Sequence, residues 1–328
     1  MSPVPVEVDQ RPNGHLVLVG ATASGKSALA LEVARQRPGT ELVSVDSMAV
    51  YRSMDIGTAT PTATERDEVP HHLVDLVDPS EEFTVSMFQA AALSVLEDLD
   101  RRRCRAVLVG GTGLHVRAVV DELDIPPRFP KVRADLEAEP DTAALHRHLA
   151  ELDPEAARRM EPTNRRRILR ALEVTLGAGR PFSSFGPGLG VYPPTPFAQV
   201  GIRMPRDILD RRIGERYRCQ MESGFLDEVA ALGKRSEPLS STAAQALGYR
   251  QFLAYLRGDC DLEEAVDAAV AATRRFARRQ DRWFRRDPRI DWIDIQDNPL
   301  EALPEVLDRF DRCALGAANG SFPVGHGL

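Results

Sequence analysis

The chain has 328 residues and a formal net charge of −7, with 43% hydrophobic and 28% charged residues. That much apolar material supports a real core in one large domain or two modest ones and excludes wholesale disorder. No apolar run approaches the roughly 18–20 residues of a membrane span, and four cysteines (Cys104, Cys219, Cys260, Cys313) without a C-x-x-C pair argue against a disulfide framework or a Cys-rich zinc site. Met1 to Gly14 lacks the basic start and apolar stretch of a secretory signal, so a reducing cytoplasm is the expected compartment.

In chain order, His15 to Val19 reads as a short buried strand, followed by a Gly-bounded turn and a helical segment, SALALEVARQ, that stops at Pro38-Gly39. A second strand, Leu42 to Val45, ends at Asp46-Ser47. Ser53 to Pro79 shows no clear period and reads mostly as loop. Val85 to Leu99 returns to helical spacing, and Ala106 to Val109 forms another strand, ended by Gly110 to Gly113. This alternation predicts an α/β fold with a parallel sheet covered by helices. From Glu122 to Pro196 the chain is charged, helix-forming and punctuated by prolines, which predicts a helical insertion domain. Strands return at Phe197 to Ile202 and Ile290 to Ile295. The expected division is therefore 1–121 and 197–328 for the core and 122–196 for the insertion, with GAANGSFPVGHGL as a flexible tail.

Gly20-Ala21-Thr22-Ala23-Ser24-Gly25-Lys26-Ser27 fits G-x-x-x-x-G-K-S/T between a predicted strand and a predicted helix, the context that gives this P-loop motif its meaning. Its glycines let successive N–H groups face one anion, and the helix N-terminus adds partial positive charge. Lys26 would reach the terminal phosphate, and Ser27 would hold Mg²⁺ or a phosphate oxygen. Hydrolysing relatives of this motif hold Mg²⁺ with a carboxylate ending an apolar strand. Here the AVLV strand ends in glycines and Thr112, and only Asp46 ends a nearby strand. Asp46 reads either as a turn former or as a proton acceptor beside the cradle. Gly110 to Gly113 reads either as a tight turn or as a second loop facing the same anion. His71, His72 and Asp75 have no further well-spaced ligand with them, which favours local hydrogen bonding over a metal site.

The basic residues comprise 39 Arg and three Lys. Three stretches concentrate them: 158–170 at +5, 203–218 at +3 and 274–289 at +6, leaving −21 for the rest of the chain. In the third, the apolar positions Leu262, Val266, Val270, Phe276 and Trp283 predict a helix flanked by arginine rows. Such a run is either a salt-bridged solvated face or a polyanion surface. The scarcity of acids four residues away and the surplus of Arg over what one diphosphate needs favour a nucleic-acid backbone.

The motifs GATASGKS, VDSMAVYRSMDIGTATPT, LVGGTGLHVRAV, NRRRILRALEV, TAAQALGYRQ and TRRFARRQDRWFRRDPRI, in this order between Leu16 and Asp294, make the chain similar to the tRNA dimethylallyltransferases (isopentenyl-tRNA transferases). The resemblance implies transfer of a dimethylallyl group from dimethylallyl diphosphate to the N6 amine of the adenosine 3′ of the tRNA anticodon. It implies that Thr22 to Ser27 hold the diphosphate with Mg²⁺, that Asp46 takes the amine proton, that Thr112 positions the substrates and that Arg216 stabilises the leaving group. It further implies anticodon-loop contacts from Asp46, Ser47, Met48, Ala49 and Thr112, from Arg133, Arg165, Arg166 and Arg167 in the insertion, and from Tyr249, Arg250 and Gln251, with Arg278 and Arg279 added from the basic helix. Ala49, Thr60 and His115 depart from the family's usual Gln, Lys and Tyr. A monomer without membrane contact is expected. A small-molecule P-loop kinase, an adenylate isopentenyltransferase acting on free nucleotides and a non-catalytic RNA-binding protein are the alternatives.

Overall fold

The computed structural model describes residues 14–319. Cα packing divides the chain into two compact units: one built from the residues up to Asp121 together with those from Pro194 onward, the other from Glu122–Pro193.

The first unit opens with β1 (Leu16–Gly20), α1 (Lys26–Gln36) and β2 (Thr40–Val45). Two short helices follow, α2 (Asp55–Thr58) and α3 (Ala63–Glu68), and then β3 (His71–His72). These three elements correct the expectation of a plain loop over 53–79. They are too short to show a period, and α3 is set by a capping box in which Thr62 and Glu65 bond each other's backbone N–H. α4 (Val85–Arg102), capped by Thr84, leads to β4 (Arg105–Gly110) and α5 (Gly113–Val120).

After Pro194 come β5 (Ala198–Arg203) and the helices α10 (Arg206–Glu222), α11 (Phe225–Gly233), α12 (Tyr249–Leu256) and α13 (Leu262–Phe284); β6 (Ile290–Asp294) and α14 (Leu303–Asn319) close the unit. The numbers between belong to the second unit: α6 (Pro130–Glu137), α7 (Thr142–Leu152), α8 (Pro154–Arg158) and α9 (Arg165–Ala178). α14 continues to Asn319, so the first four residues of the expected tail are helical; the rest of that tail, and the segment before Gly14, lie outside the described residues.

Among the described residues the six strands all lie in the first unit and pair in parallel in the order β3-β2-β4-β1-β5-β6. β1 is central and buried along its whole length, which is why it reads as an unbroken apolar run. Its side chains alternate: Val17 and Val19 enter one core with Phe88, Leu108 and Phe225, while Leu16 and Leu18 enter the other with Leu29, Val200 and Phe310. In α13 the buried line is Ala265, Ala269, Thr273, Ala277, Gln280 and Phe284. The large apolar residues of the expected stripe sit beside it, with Leu262 exposed and Trp283 half-buried. The second unit packs Leu145, Leu149, Ile168 and Leu172 into its own core. Among the described residues no helix is long and apolar enough to cross a membrane.

Candidate active site

Parallel strands point their C-terminal ends the same way, and the crevice beyond those ends is where open α/β sheets bind ligands. In this protein the segments leaving β1, β2 and β4 meet there. The ladder pairs Val45 with Gly110 and Val19 with Gly110, so Gly20–Ser27, Asp46–Met48 and Gly111–Gly113 emerge side by side. Close approach requires Gly110: a Cβ there would collide with the Val45 carbonyl.

The Gly20–Ser27 loop turns through left-handed backbone at Ala23 and Gly25 (φ 64° and 83°). Gly25 precedes α1, whose N-terminus has no side-chain cap, leaving its first N–H groups for an anion. Ser24 Oγ is buried without a hydrogen-bond partner. Lys26 Nζ donates to Ala21 O at 3.3 Å. Burial pulls the Lys26 ammonium down to about 8, with Arg216 pushing the same way and Asp46 opposing. Two arginines of α10 brace the loop from outside. Arg212 Nε donates to Ala23 O at 3.0 Å, and Arg216 donates to Thr22 Oγ1 at 3.4 Å and to Gly57 O at 3.3 Å. Burial lowers the Arg216 guanidinium from its ordinary value, and Tyr217 and Asp46 oppose it.

Asp46 Oδ1 accepts from Met48 N at 2.8 Å, which fixes the carboxylate at the strand end, and Ser47 N donates to Thr112 Oγ1 at 3.3 Å. Asp46 is thus within electrostatic reach of Lys26, Arg216 and His115. His115 packs edge-on against Phe88 at 4.6 Å, and burial holds its imidazole down at about 4, so it is neutral at ordinary pH. The structure therefore brings together a carboxylate, a hydroxyl and two cations around an anion-shaped loop. A cavity of about 660 Å³ opens on the far side of Arg216, bounded by Asp55, Thr60, Arg66, Gln220 and Ser223.

The remaining expected contacts divide into accessible and inaccessible groups. Ala49 is buried, and Tyr249 is 1% exposed with its hydroxyl donated to Glu228 Oε1 at 2.6 Å; neither is at the surface as expected. Glu228 also accepts from the N–H groups of Asp55 and Ile56, so Tyr249 braces the start of α2. Gln251 caps Gly248 N at 3.0 Å, and Arg250 is exposed, reaching Gln245. Arg278 is half-buried and Arg279 exposed. In the second unit, Arg133 pairs with Glu137 and Arg165 with the carbonyls of Glu137, Glu139 and Pro140, while Arg166 and Arg167 are exposed. His72 pairs with Glu41 and His71 with Val69 O, the local hydrogen bonding expected.

Sequence reasoning missed Arg212, Glu228 and Gln280. Gln280 was hidden in a run read for its charge, although a lone amide among arginines is itself a signal. Its Oε1 accepts from Thr22 N and its Nε2 donates to Gly111 O, both at 2.8 Å.

Comparison with known proteins fits this geometry. The family model described as IPP transferase matches residues 49–287. The chain is 48% identical over 302 residues to the tRNA dimethylallyltransferase of Thermobifida fusca, covering 90% of this chain and 92% of that one. It resembles the crystal structure of the full-length tRNA isopentenylpyrophosphate transferase of Bacillus halodurans with a TM-score of 0.70 and 35% identity, over 94% of this chain and 98% of that one. A eukaryotic dimethylallyltransferase, 23% identical, shares the fold with a TM-score of 0.77 over 96% of this chain and 81% of that one. With a site of this construction and a family match over most of its length, the chain belongs to the IPP transferase family.

Proposed function

We propose that the protein transfers the dimethylallyl group of dimethylallyl diphosphate to the N6 amine of adenosine 37, 3′ of the tRNA anticodon. The observation that carries this reading is the meeting of Asp46 and Thr112 with Lys26 and Arg216 at the ends of β1, β2 and β4. The allylic C–O bond breaks, the N6–carbon bond forms, the amine proton passes to Asp46, and the diphosphate departs. The amine is a weak nucleophile because its lone pair is delocalised into the ring, so a carboxylate at this point is useful. The leaving charge would develop against Lys26, Arg216 and the N–H groups of Thr22 to Ser27. Thr112 would orient the adenine. Extrusion of the base costs a few kcal/mol and calls for contacts around the anticodon loop, for which Ser47, Met48, Arg133, Arg165, Arg166, Arg167, Arg250, Gln251, Arg278 and Arg279 remain the candidates.

Ser27 in the first turn of α1, the partnerless hydroxyl of Ser24 and the Asp46 carboxylate are hard oxygen donors of the kind that suits Mg²⁺, which keeps several waters and binds beside phosphate oxygens. When bound, Mg²⁺ would neutralise diphosphate charge, with Ser27 as its protein ligand. We further propose a monomeric cytoplasmic enzyme in which 1–121 and 197–328 form the catalytic core and 122–196 a helical insertion that meets the RNA.

The test is incubation with labelled dimethylallyl diphosphate, Mg²⁺ and unmodified tRNA. Label in tRNA at the adenosine 3′ of the anticodon is expected. Label in free AMP alone would identify a nucleotide prenyltransferase, and phosphate transfer from ATP without prenylation a kinase.

A further inference from the structure

We propose that Gln280 is a positioning residue for the transfer reaction, its buried amide locking the diphosphate loop to the loop that carries Thr112. The inference rests on the reading above, in which the Gly20–Ser27 loop holds the allylic diphosphate.

The β1–β4 ladder ends at the pair Val19–Gly110, and beyond it the two loops have no strand pairing to hold them together. Gln280, 6% exposed, supplies one further rung. Its carbonyl oxygen accepts the Thr22 N–H and its amide nitrogen donates to the Gly111 carbonyl, each at 2.8 Å. A carboxamide offers an acceptor and a donor on one rigid plane, so both bonds share one geometry; a carboxylate can only accept, and an apolar side chain can do neither.

The fit is steric as well as polar. A Cβ on Gly111 would collide with Gln280 Nε2, and a Cβ on Gly113 would collide with the Trp283 ring, so α13 seats against this loop at two neighbouring positions. The contacts join segments 258 and 169 residues apart in the chain.

The rung completes a path across the site. Arg216 holds the Thr22 hydroxyl, Gln280 holds the Thr22 N–H and the Gly111 carbonyl, and Thr112, the next residue, accepts from the N–H of Ser47 beside Asp46. The leaving-group cation and the proton acceptor are therefore set at a fixed separation through Gln280, which itself faces neither reacting atom. The helix that delivers this amide inward carries Arg278 and Arg279 in the same turn, so substitutions at 280 have to be read against RNA affinity as well.

Gln280→Met in the full-length protein keeps the side-chain length and removes both hydrogen bonds; Gln280→Glu keeps the shape and the acceptor and removes the donor. Both variants are expected to raise KM for dimethylallyl diphosphate and lower kcat, with kcat/KM down by up to about 100-fold, the scale of a misplaced reacting group. Calorimetric titration with inorganic pyrophosphate and Mg²⁺ is expected to show matching weakening. Filter-binding affinity for unmodified tRNA and the thermal midpoint stay at wild-type values; Gln280→Glu carries the test if Gln280→Met fails to fold. Wild-type kcat/KM and pyrophosphate affinity in both variants would overturn the proposal, as would a loss of tRNA affinity in parallel with the loss of rate. Weakened pyrophosphate binding in the variants of a protein that prenylates no tRNA would refute the transfer reading and leave the lock in place.

Discussion

Helices α10 and α13 are both dense in arginine, and the structure uses the two sets differently. On α10 every guanidinium group except that of the exposed Arg218 has a partner among the described residues: Arg212 and Arg216 donate to the phosphate loop, Arg206 faces Asp210, and Arg211 faces Glu215 and Asp297. On α13 and the turn that ends it, Arg274 turns back to Asp210 and Arg285 pairs with Asp281, but among the described residues no carboxylate pairs with Arg275, Arg278, Arg279, Arg282 or Arg286. At 100° per residue the four within the helix, Arg275, Arg278, Arg279 and Arg282, lie on the arc opposite the buried line Thr273, Ala277, Gln280 and Phe284, and Arg286 follows in the turn past its end. A local charge of +3 or +6 does not separate the two helices by function. The carboxylates and carbonyls within reach do: paired arginine braces a site or a surface, and unpaired exposed arginine remains available to a polyanion.

The largest effect that probes this contrast comes from the buried side. Asp46→Ala, which removes the proposed proton acceptor opposite the α10 cations, is expected to slow single-turnover transfer on the order of 10²–10⁴-fold with tRNA affinity nearly intact. An unchanged rate would remove Asp46 from the chemistry. The exposed side of α13 gives a smaller and different response. Replacing Arg278 and Arg279 together by Ala is expected to weaken tRNA binding about tenfold and to reduce the slope of log affinity against log salt by about 2, while the bound complex reacts at the wild-type rate. The smallest effect is expected at a paired residue. Arg211→Ala should cost no more than about 1 kcal/mol in urea unfolding and leave tRNA affinity unchanged. If Arg211→Ala weakens tRNA binding as much as the α13 pair does, partner carboxylates are the wrong criterion.

Much of the fold was legible because its signals are local. Buried strands announce themselves as short apolar runs, and Gly20 to Ser27 carries its chemistry in spacing alone. Five strands were expected within a residue or two of where they lie; β3 escaped because two histidines at a sheet edge carry no period. Asp46 and Thr112 were legible for the same reason as the strands they terminate. What could not be read depends on partners distant in the chain. Tyr249 looks like a surface aromatic until Glu228 and Phe225 enclose it. In α13 the large apolar residues suggested the inward face, but the glycines at 111 and 113 leave room that Gln280 and Trp283 fill, so the helix turns small residues and an amide to the sheet. That complementarity exists only once three distant segments have met.

The position of β1 bears on how the chain is made. This central strand finds its two neighbours at β4 and β5, Leu16 pairing with Val107 and with Ala198. At 5–20 residues per second, roughly 10–40 s of synthesis separates β1 from β5 on the ribosome. Throughout that interval a fully apolar strand has at most one edge satisfied, and closing the second requires a loop of about 180 residues. The nascent protein is therefore exposed to aggregation and chaperone capture until β5, beyond the insertion, has been translated, and the phosphate loop cannot take its final shape before then.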